Sequence, residues 1–300
     1  MKLSVEFPAI SFREGPEAIA RLAKAIEEIG YDHIDIFDHV VMGYPTETRA
    51  APHYPSRMPI LEALTTLSFI AANTKSIGIG TEVLVLPQRQ PVLVAKQVAT
   101  LDILSAGRMR LGVGVGWQES EFEMLQESFR NRGKRTDEAI QVLRACWGQD
   151  PISYRFKHYF ADSMAFEPKP PQGDKIPIWI GGMRKRALRR VGEFGDGWLA
   201  MPLTDLDWAK SAVESIKEHA VRSGRDPDAL GFQMMLDSPP QDEEGKTFYK
   251  DMDKIKSRIE IVEKLGFGWG SINATAIFQA GYRTVDAMID KLSEICSAIR

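Results

Sequence analysis

The sequence predicts an α/β fold, a (β/α)8 TIM barrel with a hairpin insertion before its fifth strand. Short β-type runs alternate with amphipathic helical runs eight times across 300 residues, the count that a closed barrel needs. No glycine fingerprint follows the first strand at Phe7, where a doubly wound dinucleotide-binding fold would carry one. No Pro/Gly/Ser-rich stretch is long enough to separate two folding units, so residues 1–300 read as one domain.

Leu3 to Phe7 alternates with period two and forms the first strand. Pro16 opens a helix that gathers Ile19, Leu22, Ala23 and Ile26 on one face and stops at Gly30. His33 to Phe37 is the second strand, followed by a loop with Pro45, Pro52, Pro55 and Pro59 and a helix from Ile60 to Asn73. Ser76 to Leu86 reads as one continuous third strand, ended by Pro87. Pro91 starts the next helix, which stops at Gly107. Met109 to Val115 is the fourth strand, with helices from Glu119 and from Thr136 to Trp147. Ser153 to Lys169, rich in Tyr and Phe, breaks the rhythm as a hairpin insertion. Ile176 to Ile180 resumes it, and a basic helix runs to Phe194. Gly197 to Met201, Phe232 to Leu236 and Ser271 to Ala274 complete the strands. Helices over Leu206 to Arg222, up to Leu265, and Thr284 to Ile299 complete the outer ring.

Composition narrows the function. Lys and Arg number 38 against 41 Asp and Glu, a net charge of −3, which argues against a basic nucleic-acid surface. Cys146 and Cys296 form no C-x-x-C pattern, so a reduced, cytoplasmic protein is expected. No apolar run approaches the length that spans a bilayer, and Glu6 interrupts any signal-like core. The five histidines are scattered and no H-E-x-x-H or Cys/His cluster occurs, so no metal site is expected.

In a barrel the chemistry lies at the carboxyl ends of the strands. The second strand ends in Asp38-His39, where a carboxylate neighbour can fix the tautomer of a titrating imidazole; the plainer reading makes Asp38 a cap for strand-end amides. Glu82 stands in the apolar run Gly80 to Pro87. It sits at a bulge near the mouth or points inward and needs a partner, most simply an Arg. Gly112, Gly114 and Gly116 remove side chains from one face of the fourth strand, which makes room for a flat ligand or lets neighbouring side chains interdigitate. Trp117 stacks on a ring or simply packs. Gly181-Gly182 precedes a helix whose first residues include Arg184, Lys185 and Arg186, an arrangement that suits an anion.

These segments together resemble the luciferase-like monooxygenase superfamily, and especially its branch of oxidoreductases that use the deazaflavin coenzyme F420. The residues that carry the resemblance are Asp38-His39-Val40, Gly80 to Gln97, Thr100-Leu101-Asp102, Gly107-Arg108, Leu111 to Trp117 with Glu121-Phe122, Ile176 to Gly182, and Gly195 to Trp198. The resemblance implies a barrel that binds a flavin-like ring in its mouth. It puts Asp38 and His39 beside the ring and a bulge with a non-prolyl cis peptide, Glu82–Val83, behind it. It gives Gly181, Gly182 and the amides of Met183 and Arg184 to a phosphate, and makes Gly116 and Ser120 cofactor contacts. The family usually carries a small residue where Glu82 stands. Some relatives place a proton-donating carboxylate where this chain has Trp117, so that role is not carried over. Relatives commonly pair through the helices after the second and third strands, which implies a homodimer.

The expected function is therefore hydride transfer between F420 and a small organic substrate, with His39 as the catalytic acid–base group. An FMN-dependent monooxygenase is the alternative within the superfamily. A non-redox lyase or isomerase would use Gly181-Gly182 for a substrate phosphate and His39 or Glu82 as base; the lack of a strand-end Lys and of metal ligands argues against it. A binding protein that has lost catalysis is a further alternative. Neither a nucleic-acid nor a membrane partner is expected.

Overall fold

In the computed structural model, which describes residues 1–8, 11–237 and 245–300, the alternation becomes a closed parallel barrel. The strands are β1 (Lys2–Glu6), β2 (His33–Ile36), β3 (Gly78–Thr81), β4 (Leu84–Val85), β5 (Met109–Gly114), β6 (Ile152–Arg155), β7 (Phe160–Met164), β8 (Ile178–Gly181), β9 (Gly197–Ala200), β10 (Gly231–Met235) and β11 (Trp269–Asn273). The parallel order β3-β2-β1-β11-β10-β9-β8-β5 closes through pairing of β3 with β5, and β4 extends the β3 position. The antiparallel pair β6–β7 is the expected hairpin, inserted before β8.

Around the barrel run α1 (Pro16–Ile29), α2 (Ala63–Asn73), α3 (Pro91–Leu104), α4 (Glu119–Met124), α5 (Arg132–Trp147), α6 (Lys185–Phe194), α7 (Leu206–Arg222), α8 (Met252–Lys264), α9 (Ala274–Gln279) and α10 (Val285–Ile299). Local chemistry sets their ends. Pro16 occupies the first position of α1, Ile19, Leu22, Ala23 and Ile26 are buried, and Gly30 ends it in the left-handed region at φ 101°.

Several elements differ from the sequence reading, among them α5, which begins at Arg132 and not at Thr136. The helix expected from Ile60 begins at Ala63, because the Glu62 carboxylate accepts from the Thr65 amide at 2.7 Å and caps it there. The third strand is interrupted: β3 stops at Thr81, whose hydroxyl donates to the Gly112 carbonyl at 2.6 Å, and β4 resumes after the cis Glu82–Val83 bond. The helix α9 follows β11 without a loop, because Asn273 both ends the strand and caps the helix by accepting from the Ala276 amide at 2.9 Å.

The barrel interior is packed rather than hollow. A Cβ on Gly197 or Gly231 would come within 2.5 or 2.2 Å of the Trp179 ring, so these glycines make space for that indole. The same holds on β5, where a Cβ on Gly112 would meet the Thr81 carbonyl oxygen at 1.8 Å and one on Gly114 would meet Val83 Cγ2 at 2.6 Å. Interdigitation of neighbours therefore accounts for these two glycines. Deeper inside, Arg110 lies between Trp179 and Trp269, its guanidinium carbon 4.4 and 4.9 Å from the ring centres. Its Nη2 donates to Asp35 at 2.6 Å and to Gln233 at 3.0 Å, and His33 Nδ1 lies 3.1 Å from Asp35 Oδ1. Burial would raise the Asp35 carboxyl, but Arg110 and His33 more than offset it and hold it well below the usual carboxylate range.

Candidate active site

Above this polar layer, the carboxyl ends of all eight barrel strands converge on one cavity of about 290 Å3. Glu6 ends β1, Phe37, Asp38 and His39 follow β2, and Glu82 and Val83 follow β3. The remaining wall is Gly114 to Trp117 of β5, Gly181 and Gly182 of β8, Leu199 to Met201 of β9, Met235 of β10 and Asn273 of β11, with Tyr54 reaching in from the β2 loop. Of the residues singled out from the sequence, Asp38, His39, Glu82, Val83, Gly116, Gly181 and Gly182 are thus brought together. Ser120 instead faces Gly43, whose Cβ would lie 2.4 Å from its hydroxyl. Met183 packs against the core, and exposed Arg184 caps α6. These three lie outside the cavity lining.

The Asp-His pair divides its labour differently from the sequence expectation. Asp38 does not set the His39 tautomer. Its carboxylate accepts from the Val85 amide at 3.0 Å and from Arg89 at 2.7 Å, which ties the β2 end to β4. The imidazole is held by Glu121, 1% exposed on α4, whose Oε2 lies 3.2 Å from His39 Nδ1. Glu121 also accepts from the Val40 amide at 2.6 Å, from the Val41 amide at 3.3 Å and from Gln88 Nε2 at 2.9 Å. Burial would raise this carboxyl; the bonds from His39, Gln88 and Val40 outweigh it and hold it below its ordinary value. An ionised Glu121 requires a proton on His39 Nδ1, so the neutral ring presents Nε2 as a base and the charged ring presents it as an acid. His39 itself is 8% exposed and lies edge-on to Trp117 and Tyr54, ring centres 5.2 and 5.6 Å away.

Glu82 fulfils both sequence readings, standing at the strand break and facing inward, but its partner is not an Arg. Ser271 donates its hydroxyl to Glu82 Oε2 at 2.7 Å, because Arg110 is already committed to Asp35. Burial and the nearby Asp35 charge push the Glu82 carboxyl up to about 7. Glu6, lining the same cavity, is raised by burial and by the Glu82 charge. Gly116 has φ +76°, and a Cβ there would meet Val85 and Phe122 within 2.8 Å, so the turn before Trp117 requires glycine. Gly182 has φ +124°, and a Cβ on Gly181 would lie 2.9 Å from Val83. Of the basic residues after them, Arg189 and Arg190 are bound to Asp137, while Arg184, Lys185 and Arg186 are exposed.

The barrel itself is shared with known proteins. Residues 4–240 match the profile described as luciferase-like monooxygenase. The chain belongs to the luciferase-like monooxygenase family. An F420-dependent glucose-6-phosphate dehydrogenase of Nakamurella multipartita is 29% identical over 226 residues, 74% of this chain and 63% of that protein. The structure of an F420-dependent secondary alcohol dehydrogenase in complex with an F420–acetone adduct matches with a TM-score of 0.79 at 20% identity, over 100% of both chains. The oxygenating constituent of 3,6-diketocamphane monooxygenase of Pseudomonas putida, in complex with FMN, matches with a TM-score of 0.72 at 15% identity, over 99% of this chain and 97% of that one. The family thus includes deazaflavin- and flavin-binding oxidoreductases built on this barrel.

Glu6 and Glu121 are the two site residues that strand-end reasoning missed. Each leaves a signal in the sequence. Glu6 is an acid at the end of an apolar strand, and Glu121 shares the buried side of a short helix with Phe122. Among the tyrosines, Tyr54 lines the cavity, Tyr44 is exposed and accepts from Arg57, and Tyr159, in the turn of the hairpin, packs against the core.

Proposed function

We propose that the protein is an oxidoreductase that transfers a hydride between coenzyme F420 and a small organic substrate, with His39 as the acid–base group. The observation that carries this reading is the Glu121–His39 pair, which leaves Nε2 of an oriented imidazole as the open nitrogen in the cavity. The relatedness to an F420-dependent dehydrogenase supports the deazaflavin over FMN.

The residues fit such a group. The chamber of about 290 Å3 lies at the lower end of the range for ligand pockets, so it suits a ring system whose tail runs outside. Val83, Val85, Leu199 and Ala200 give it apolar walls that exclude water. Beyond Gly182, the first amides of α6 lack intrahelical partners and suit the phosphate of the tail. Bound there, F420 supplies hydride transfer at its ring. His39 takes up or delivers the proton that accompanies the hydride, and Glu121 keeps its Nδ1 protonated while it does so.

A fluorescence titration with F420, beside a parallel one with FMN, tests the reading: saturable F420 binding is expected, and binding of FMN alone would replace it with the monooxygenase alternative. Substituting Gly181 or Gly182 is a poor probe of the phosphate, because Val83 and the positive φ already demand glycine there. Arg184→Glu is a cleaner one. Its side chain is exposed, so the fold should survive, and F420 affinity is expected to fall about tenfold as a like charge replaces a cation at the helix start. An unchanged affinity would place the tail elsewhere.

The homodimer belongs to the same proposal. Phe69 of α2 and Leu93, Ile103 and Leu104 of α3 are exposed, and these two helices follow the β2 and β3–β4 positions. Sedimentation equilibrium at micromolar concentration is expected to give twice the chain mass, and Leu93→Glu combined with Leu104→Glu should give the monomer. A monomeric wild type would refute it.

A further inference from the structure

We infer that Glu6 and Glu82 form an anionic floor to the cavity that receives the cationic nitrogen of an amine-bearing substrate. This deepens the oxidoreductase reading and rests on it for the substrate meeting the F420 ring within this cavity.

Glu6 and Glu82 lack bound counter-ions among the described residues. Both side chains line the cavity, one from β1 and one from the break after β3. Among the described residues, the arginines nearby are paired with other carboxylates. Arg110 is bound to Asp35, and Arg89 is bound to Asp38 and approaches Glu62. Glu6 is only 5% exposed, and among the described residues no hydrogen bond reaches its carboxyl, whereas Glu82 is met by the Ser271 hydroxyl and the Gln233 side chain, both neutral. Two buried carboxylates that line one cavity with no cation bound to either are unfavourable, so the pair keeps a proton. Arg110 favours the charged form of Glu82, but burial and the Asp35 charge outweigh it. Asp35 adds negative charge, and the hydroxyls of Tyr54 and Tyr249 are raised by burial and stay neutral.

A ligand that brings its own positive charge takes the place of that proton, while an anionic ligand meets only repulsion. The walls point the same way. Phe37, Tyr54 and Trp117 line the cavity, and aromatic rings attract an alkylammonium better than they attract a neutral or anionic group. Apolar walls above an acidic floor fit an amphiphilic cation.

The test uses benzylammonium, benzyl alcohol and benzoate as probes in titration calorimetry at pH 7, on the full-length protein with and without F420. Benzylammonium is expected to bind at least about tenfold tighter than benzyl alcohol and to release protons, read from the difference between two buffers of unlike ionisation enthalpy. Glu82→Gln and Glu6→Gln keep the shape, and each is expected to abolish most of the discrimination and the proton release. If one variant fails to fold, the other decides. Equal binding of amine and alcohol, a preference for benzoate, no measurable benzylammonium binding, or discrimination that survives both substitutions would overturn the inference. F420 binding without amine discrimination removes this inference alone. Amine discrimination in a protein that binds no F420 removes the oxidoreductase reading and leaves the anionic floor.

Discussion

His39→Ala is expected to reduce turnover by about 10²–10⁴-fold, the usual worth of a positioned acid–base group. F420 affinity should change by less than about tenfold, because the ring and tail touch many other groups. The imidazole has little freedom. Its Nδ1 is fixed by a carboxylate that is itself held by two backbone amides and a glutamine, so Nε2 alone is open for proton exchange. Glu121→Gln preserves the shape but removes the charge that keeps the proton on Nδ1, so it should lie between wild type and His39→Ala. Asp38→Asn should leave turnover closer to wild type than Glu121→Gln does, since Asp38 anchors β4 and not the ring. Steady-state rates on any alcohol or carbonyl compound turned over by the wild type give the ranking. Loss of F420 binding in a folded His39→Ala protein would make His39 a binding residue instead.

Arg110→Ala should destabilise the fold by about 3–5 kcal/mol at neutral pH, the range for breaking a buried ion pair by removing one partner. The guanidinium is the counter-ion of Asp35, which is fully buried, and it fills the space between two indoles. The effect has a pH signature. In the wild type the Asp35 carboxyl is depressed, so the stability it contributes is complete above its unfolded value of about 3.9 and is lost as pH falls through the lower folded value. Without Arg110 the buried carboxyl is raised, so protonation relieves the variant. The gap between the two proteins should narrow between pH 7 and pH 5. Urea unfolding at both pH values measures it, and a gap that widens on acidification would contradict the assignment.

The barrel was legible because its signals are local. The apolar spacing of α1, Pro16 before it and Gly30 after it all act within a few residues. The strand interruption at Glu82 was not legible as a break from the apolar pattern of Ser76 to Leu86; only the family resemblance pointed to it. The site was half legible. Strand ends located Asp38, His39, Glu82 and the glycines, since barrel topology alone assigns those positions. The partner of His39 was not, because an adjacent carboxylate in sequence is not an adjacent carboxylate in space. Asp38 and His39 leave the strand on different sides, and the group that meets the imidazole lies 82 positions away. The inner layer was equally hidden, as Arg110, Asp35 and Gln233 look like ordinary strand residues until closure brings them together.

The contacts of Glu121 also give the long segment between β2 and α2 a fixed root. Because one carboxylate fastens the amides of both Val40 and Val41, any swing of the chain beyond them pivots after residue 41 and leaves the imidazole where it is. The aim of the proton-transfer group is thereby set at the root of the loop and not by its far reaches. Loop length and composition between residues 42 and 52 can drift to admit different molecules while Tyr54 stays packed on His39, which gives this barrel a way to change clientele at constant reaction type.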